Sequence, residues 1–282
     1  MVVIGRRSFG LESQPALAGR TRGFALSLKL QYAGKTHVGR KRSHNEDNLG
    51  LATEQNLYMV ADGMGGHASG EVASEMAVET VQEFFEETED DEQLTWPYKM
   101  DKDLNYEENR LNAGIKLANL RIYEKAAQNS AQRGMGTTIV ALLFSGEEAY
   151  FGHVGDSRIY RLRDDELSQV TDDHSLLNDY IKMKDLSEEE IENFPHKNVI
   201  VRALGMKETV QVDVTKKVPQ HGDIYLLCSD GLNAMIEDEK IENIMVDHKD
   251  DLETSCNELI EAANEGGGND NVTVVLVKVL KD

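Results

Sequence analysis

Three apolar runs, Thr137–Phe144 (TTIVALLF), Ala149–Val154 (AYFGHV) and Arg158–Leu162 (RIYRL), follow one another with only a few residues between them. Their β-branched and aromatic content reads as strand. A parallel crossover needs about a dozen residues or more, usually a helix, so connections this short make the sheets mainly antiparallel. Runs of the same kind occur at Asn56–Ala61 (NLYMVA), Asp223–Cys228 (DIYLLC) and Asn271–Leu280 (NVTVVLVKVL), with a further strand-like stretch at Asn48–Thr53. Between them, Ala73, Ala77, Val81 and Phe84 repeat at helical spacing, as do Leu111, Ile115, Ala118 and Ile122. Each set lays an apolar stripe on a sheet. Ile241–Met245 and Leu252–Ala263 read as two shorter helices. The expected fold class is therefore α+β, with layered, mainly antiparallel sheets rather than a doubly wound one.

Three segments stand outside this pattern. Residues 1 to about 28 carry Arg6, Arg7, Arg20 and Arg22 against the single acid Glu12 and show no sustained period, which predicts a disordered extension. A membrane- or partner-docking arm is its functional alternative. The apolar stretches Val2–Ile4 and Phe24–Leu28 are too short for a secretory signal. Glu86–Asp103, acidic and holding Trp96 and Pro97, reads as an exposed loop, and residues 172–205 form a polar, helix-prone insertion.

Charge narrows the function. With 51 Asp+Glu against 30 Lys+Arg the net charge is −21, which disfavours nucleic acid as a partner. No run approaches the roughly 18 apolar residues of a spanning helix. Two cysteines, Cys228 and Cys256, are too few for a disulfide framework and suit a reducing, cytoplasmic setting.

The chemistry is written at the strand ends. NLYMVA runs into Asp62–Gly63, DIYLLCS into Asp230–Gly231, and FGHVG into Asp156, while Asp270 precedes the last strand and Glu46–Asp47 another. A lone Asp-Gly is an ordinary turn. Several acids on one rim are different, because unit charges about 4 Å apart repel by roughly 4 kcal/mol at an effective dielectric near 20. Something positive must sit among them, and an oxygen donor set without a Cys/His cluster favours Mg²⁺ or Mn²⁺ over zinc. Gly63, lacking a Cβ, lets its backbone approach such an ion. Arg42, four residues before Glu46 in GRKRSHNED, has the fork suited to a phosphate dianion. Acids, a divalent pair and an arginine together predict a phosphoester substrate attacked by a metal-held hydroxide.

Taken in order, RSHNED (42–47), VADGMGGHASGEVAS (60–74), GMGTT (134–138), GHVGDSRIYR (152–161), TDDHS (171–175), PHKNVIVRALG (195–205), CSDGL (228–232) and GGNDNVTVVLV (267–277) resemble the motifs of bacterial metal-dependent serine/threonine phosphatases, the protein phosphatase 2C-like or PPM family. The resemblance covers roughly residues 30 to 280 and implies a domain over 29–282. It implies a four-layer αββα sandwich, two mainly antiparallel sheets flanked by helix pairs, with residues 172–205 as a flap subdomain. It implies Asp62 as the acid bridging two Mn²⁺ or Mg²⁺ ions, with the Gly63 carbonyl, Asp230, Asp270 and Glu46 as further ligands and Asp47 behind them. Asp156 resembles a ligand of a weaker third ion shared with Asp230, and Arg42 the phosphate-binding residue. Phosphorylated proteins would be the substrates, and a serine/threonine kinase and its targets the partners. One position departs from the family: Met64 stands where animal relatives have a histidine proposed to protonate the leaving group. Methionine donates no proton, which leaves His67 and His44 as candidate acids beside metal-bound water. The resemblance also offers two rivals, a non-catalytic phosphoprotein-binding module and a hydrolase of small phosphate esters. The first is disfavoured because no bridging acid is lost.

Overall fold

The computed structural model describes residues 28–65, 69–89, 96–184, 190, 194 and 199–280. The extension expected at 1 to about 28 lies, but for Leu28, outside the described residues. Among the described residues eleven strands run β1 (Lys29–His37), β2 (Asp47–Ala52), β3 (Leu57–Met64), β4 (Gly136–Thr137), β5 (Ile139–Ser145), β6 (Glu148–Val154), β7 (Arg158–Arg163), β8 (Glu166–Gln169), β9 (Asp213–Lys217), β10 (Ile224–Cys228) and β11 (Val272–Leu280). The helices are α1 (Ser69–Glu87), α2 (Tyr106–Gln128), α3 (Leu176–Met183), α4 (Asp230–Asn233), α5 (Asp238–Asp247) and α6 (Leu252–Glu265).

The strands form two sheets, ordered β1-β11-β10-β7-β8 and β2-β3-β5-β6-β9, with β4 paired to β3. Every strand pair among the described residues is antiparallel. The short connections of 137–162 thus do what their length requires, although β5 and β6 belong to one sheet and β7 to the other.

Apolar runs without alternation mean strands buried on both faces. In β3, Leu57, Met59 and Ala61 pack under α1 and α2 with Ala73, Ala77, Val81, Leu111, Ile115 and Ile122. The intervening Tyr58 and Val60 turn the other way and meet Val140, Leu142, Phe151, Tyr225, Leu227 and Val275 between the sheets. On the far side, Leu226, Cys228, Val274 and Leu276 pack against Leu232, Ile241, Cys256 and Leu259 of α4, α5 and α6. Three stacked cores make four layers, as the motifs imply. Helix α2 begins at a capping box in which Asn105 and Glu108 exchange side-chain-to-backbone bonds. Of the acidic stretch, Glu86 and Glu87 end α1, residues 90–95 lie outside the described residues, and most of the rest is exposed, with the Trp96 ring packing edge-on against Phe84 at 5.7 Å and tilting against Tyr106. No helix is long and apolar enough to cross a membrane among the described residues.

Candidate active site

Antiparallel register sets Asp47, the first residue of β2, opposite Asp62 near the end of β3. Strand β10 ends beside both β11 and β7, Cys228 pairing with Val274 and with Arg158. That register brings Asp230, at the start of α4, together with Asp270 before β11 and Asp156 before β7. The rim acids singled out from sequence therefore converge from both sheets.

Their surroundings are short of positive charge. Loss of hydration, then repulsion from Asp47, Asp230, Asp156 and Asp270, holds the Asp62 carboxyl well above the usual range. Burial pushes Asp47 up to about 7 even though Thr273 and Ser229 donate to it. Asp156 also rises to about 7, by burial and then by the charge of Asp230. Asp230 is raised by desolvation and by Asp270, against a hydrogen bond with Asp62 and the pull of Arg42 and Arg158. Asp156 Oδ1 is buried with no hydrogen-bond partner. Clustered oxygen donors that resist ionisation, one of them orphaned, fit a hard divalent cation, which would restore their charge and fill that contact.

Arg42 stands half-exposed beside the cluster, its Nη2 donating to Asp270 Oδ2 at 2.6 Å. Partial burial works against this cation but is outweighed by Asp270, Glu46 and Asp62, so its pKa is raised. Glu46 is tied to the start of α1, where its Oε1 accepts the Gly70 N–H at 3.2 Å and its carbonyl accepts the Ser74 hydroxyl at 2.6 Å. A helix N-terminus favours a carboxylate there. Gly63 is required by proximity: a Cβ would stand 2.2 Å from the Gly70 carbonyl oxygen and 2.5 Å from that of Glu46. His44 is exposed, and its backbone carbonyl accepts from Asn271 Nδ2 at 2.9 Å. His67 lies outside the described residues.

Sequence reasoning passed over the groups that hold these acids. The Asp62 N–H donates to Thr138 Oγ1 at 3.0 Å, and its carbonyl accepts the Thr138 N–H at 2.9 Å and the Thr137 hydroxyl at 2.8 Å. Ser229 and Thr273 hydroxyls both donate to Asp47 Oδ2 at 2.7 Å. Asn271 accepts the Glu46 N–H at 2.8 Å while its amide clamps the Val38 and His44 carbonyls. Arg158 forks onto Asp173 through contacts of 2.7–3.1 Å. The available signal was their place inside the same blocks as the acids: GMGTT, CSD, NDNVT and GDSR.

Residues 33–280 match the family model described as Protein phosphatase 2C. The chain belongs to this family. It is 38% identical over 251 residues to the serine/threonine phosphatase stp of Listeria innocua, a match covering 86% of this chain and 94% of that protein. Among solved structures it resembles the serine/threonine phosphatase PstP/Ppp of Mycobacterium tuberculosis, with a TM-score of 0.77 and 35% identity over 90% of this chain and 99% of that one. A structure of the PstP catalytic domain in complex with two manganese ions gives a TM-score of 0.75 and 34% identity over 90% of this chain and all of that one. The four-layer PPM architecture is thus the fold of this protein.

Proposed function

We propose that the rim acids and Arg42 are the active site of a metal-dependent protein phosphatase that hydrolyses phosphoserine and phosphothreonine. The observation that carries the assignment is the convergence of Asp62, Asp156, Asp230 and Asp270 on one desolvated rim beside an arginine. Relatives named as serine/threonine phosphatases and a manganese-bound neighbour support it.

Asp62, the Gly63 carbonyl, Asp230, Asp270 and Glu46 would hold the two principal Mn²⁺ or Mg²⁺ ions, and Asp156 with Asp230 a third. Bound there, the ions supply an activated water and offset the charge that develops on the phosphoryl oxygens. Arg42 orients those oxygens. Its guanidinium already donates to Asp270, so the same fork reaches an anion seated beside that acid. Asp47, fixed by Ser229 and Thr273, stands across the ladder from Asp62 and holds a proton or a charge behind it as the ions require. Met64 offers no proton to the leaving alkoxide, so another donor serves it. The thiols supply no nucleophile, since burial pushes Cys228 and Cys256 up to about 12.

We assign residues 29–282 to one catalytic domain, with 172–205 as a flap beside the rim. A serine/threonine kinase and its targets are the partners we infer, in the cytoplasm, where the two free thiols would stay reduced. The test is phosphate release from a phosphothreonine peptide, expected with added Mn²⁺ or Mg²⁺ and lost in EDTA. Full turnover in EDTA refutes the mechanism. Faster turnover of small sugar phosphates than of phosphopeptides refutes the substrate class.

A further inference from the structure

We infer that His174 is a positioning residue that sets the Asp156 carboxylate by clasping Gly155, and that it ties this acid to both roots of the 172–205 segment. The inference rests on the reading of Asp156 as a metal ligand.

The Gly155 N–H donates to His174 Nδ1 at 3.0 Å, and the His174 N–H donates back to the Gly155 carbonyl at 2.8 Å. Gly155 needs such holding. Its φ of +113° is open to glycine, and a Cβ there would stand 2.6 Å from Thr138 Cβ. The next residue is Asp156, whose Oδ1 is buried and unpartnered, so nothing on that oxygen fixes its direction. The backbone on which it stands, including the Asp156 N–H that bonds its own carboxyl, sets that direction.

His174 is equally bound to the segment it introduces. Its carbonyl accepts the Val201 N–H at 2.9 Å, the Leu176 N–H reaches the Val199 carbonyl at 2.9 Å, and Ser175 bridges Ile200. The outgoing and returning chains are zipped at this residue.

Because Gly155 occupies the lone pair of Nδ1, the ring proton sits on Nε2. Nε2 faces Asp213 Oδ2 at 3.2 Å. Hydrogen bonds from His174 and Arg202 hold the Asp213 carboxyl far below the usual range despite burial, as that tautomer requires. His153 stacks on the ring at 4.5 Å between centroids and reaches the Asp172 carbonyl, completing the cage. His153, His174 and Asp213 bring donor atoms within 4.8 Å of one another, a spacing that would also suit a transition metal. Arg202 already occupies that place, its Nη1 donating to Asp213 Oδ1 at 2.7 Å; its 3.0 Å approach to His174 Nε2 is a contact between two donors that the shared Asp213 carboxylate holds together. The cluster is built around a guanidinium, and its output is the position of Gly155.

Two substitutions separate the two ring nitrogens. In His174→Asn the amide keeps an acceptor near Nδ1; in His174→Gln it keeps a group near Nε2 and loses the side-chain half of the clasp, the backbone half remaining in both. Calorimetric titration of the full chain with Mn²⁺ alone should show the weakest site losing at least about tenfold in affinity in His174→Gln, the lower end for a lost outer-shell partner, and less than about threefold in His174→Asn. Equal losses in both variants, or wild-type binding in His174→Gln, overturn the inference. In the unmodified chain, the Gly155 amide and His174 ring ¹⁵N resonances should shift together with the weakest Mg²⁺ step. Resonances that follow only the tighter steps, or stay still, overturn it without any variant. Asp156→Ala is the control. If it binds as many Mn²⁺ ions as the wild type, the reading of Asp156 has failed; if it loses one while His174→Gln does not, only the role of His174 has.

Discussion

Asp230 meets acids and cations alike on the rim: it shares a hydrogen bond with Asp62, opposes Asp270, and feels both Arg42 and Arg158. Asp230→Asn keeps the shape of the side chain and removes its charge. The expected outcome is a fall in kcat of at least about a hundredfold, the scale of losing one preorganised electrostatic group, with weaker Mn²⁺ binding by titration. Wild-type turnover would remove Asp230 from the site. Arg42 belongs to the substrate rather than to the ions, so Arg42→Ala should raise KM for a phosphopeptide by roughly tenfold to a hundredfold, the worth of a charge-assisted hydrogen bond of about 1.5–3 kcal/mol. Metal affinity should change little. If affinity falls and KM holds, Arg42 serves the metals through Asp270. These acids were legible as a set: one Asp-Gly after a strand is an ordinary turn, but several apolar strands ending or starting at carboxylates need a shared cation. Thr138, Ser229, Thr273 and Asn271 were not, since hydroxyls and amides at strand ends also cap and turn chains, and only the fold shows which acid each one holds.

Strands β3 and β5 announced themselves because both of their faces are buried, which leaves no polar residue to break the apolar run. Strand β1 did not. KLQYAGKTH is an edge strand, exposed at most positions, and its pairing with β11 rather than its own pattern makes it a strand. The short, exposed β9 (DVTKK) and β8 (ELSQ) escaped for the same reason. Elements also place the site through close approach. Helix α1 presses its first turn onto β3, and Gly63 is where they touch. Gly63→Ala forces the backbones of β3, α1 and the Glu46 loop apart. Overpacking of this kind costs about 1–3 kcal/mol, or roughly 2–5 °C in Tm for a chain of 282 residues, and calorimetry should show it together with weaker Mn²⁺ binding. An unchanged melting temperature would mean that this contact relaxes freely.

For the whole molecule, the rim acids make stability depend jointly on pH and on metal. Without a divalent ion, burial pushes Asp47 and Asp156 up to about 7, and Asp62 and Asp230 are raised with them. In the unfolded chain these groups ionise near pH 4, so above that pH the folded state binds more protons than the unfolded one. Stability then falls as pH rises, and the share of this fall due to Asp47 and Asp156 is complete once they have ionised, above about 7. His153, whose pKa is lowered by burial, acts in the opposite sense, weakening the fold as pH drops below about 6.5. Two groups titrating near 7 together hold on average about one proton between about pH 6 and about pH 8, and His153 offsets at most about a third of one, so the balance stays against the folded state. In EDTA, Tm should therefore drop over that window by roughly 2–4 °C, corresponding to about 1–2 kcal/mol. Excess Mn²⁺ should reverse the slope, because an ion binds ionised ligands and must displace their protons, so its affinity grows as pH rises. A metal-free protein whose Tm is flat or rising from about pH 6 to about pH 8, with the same slope when Mn²⁺ is present, would mean that these carboxylates are neither clustered nor ligands.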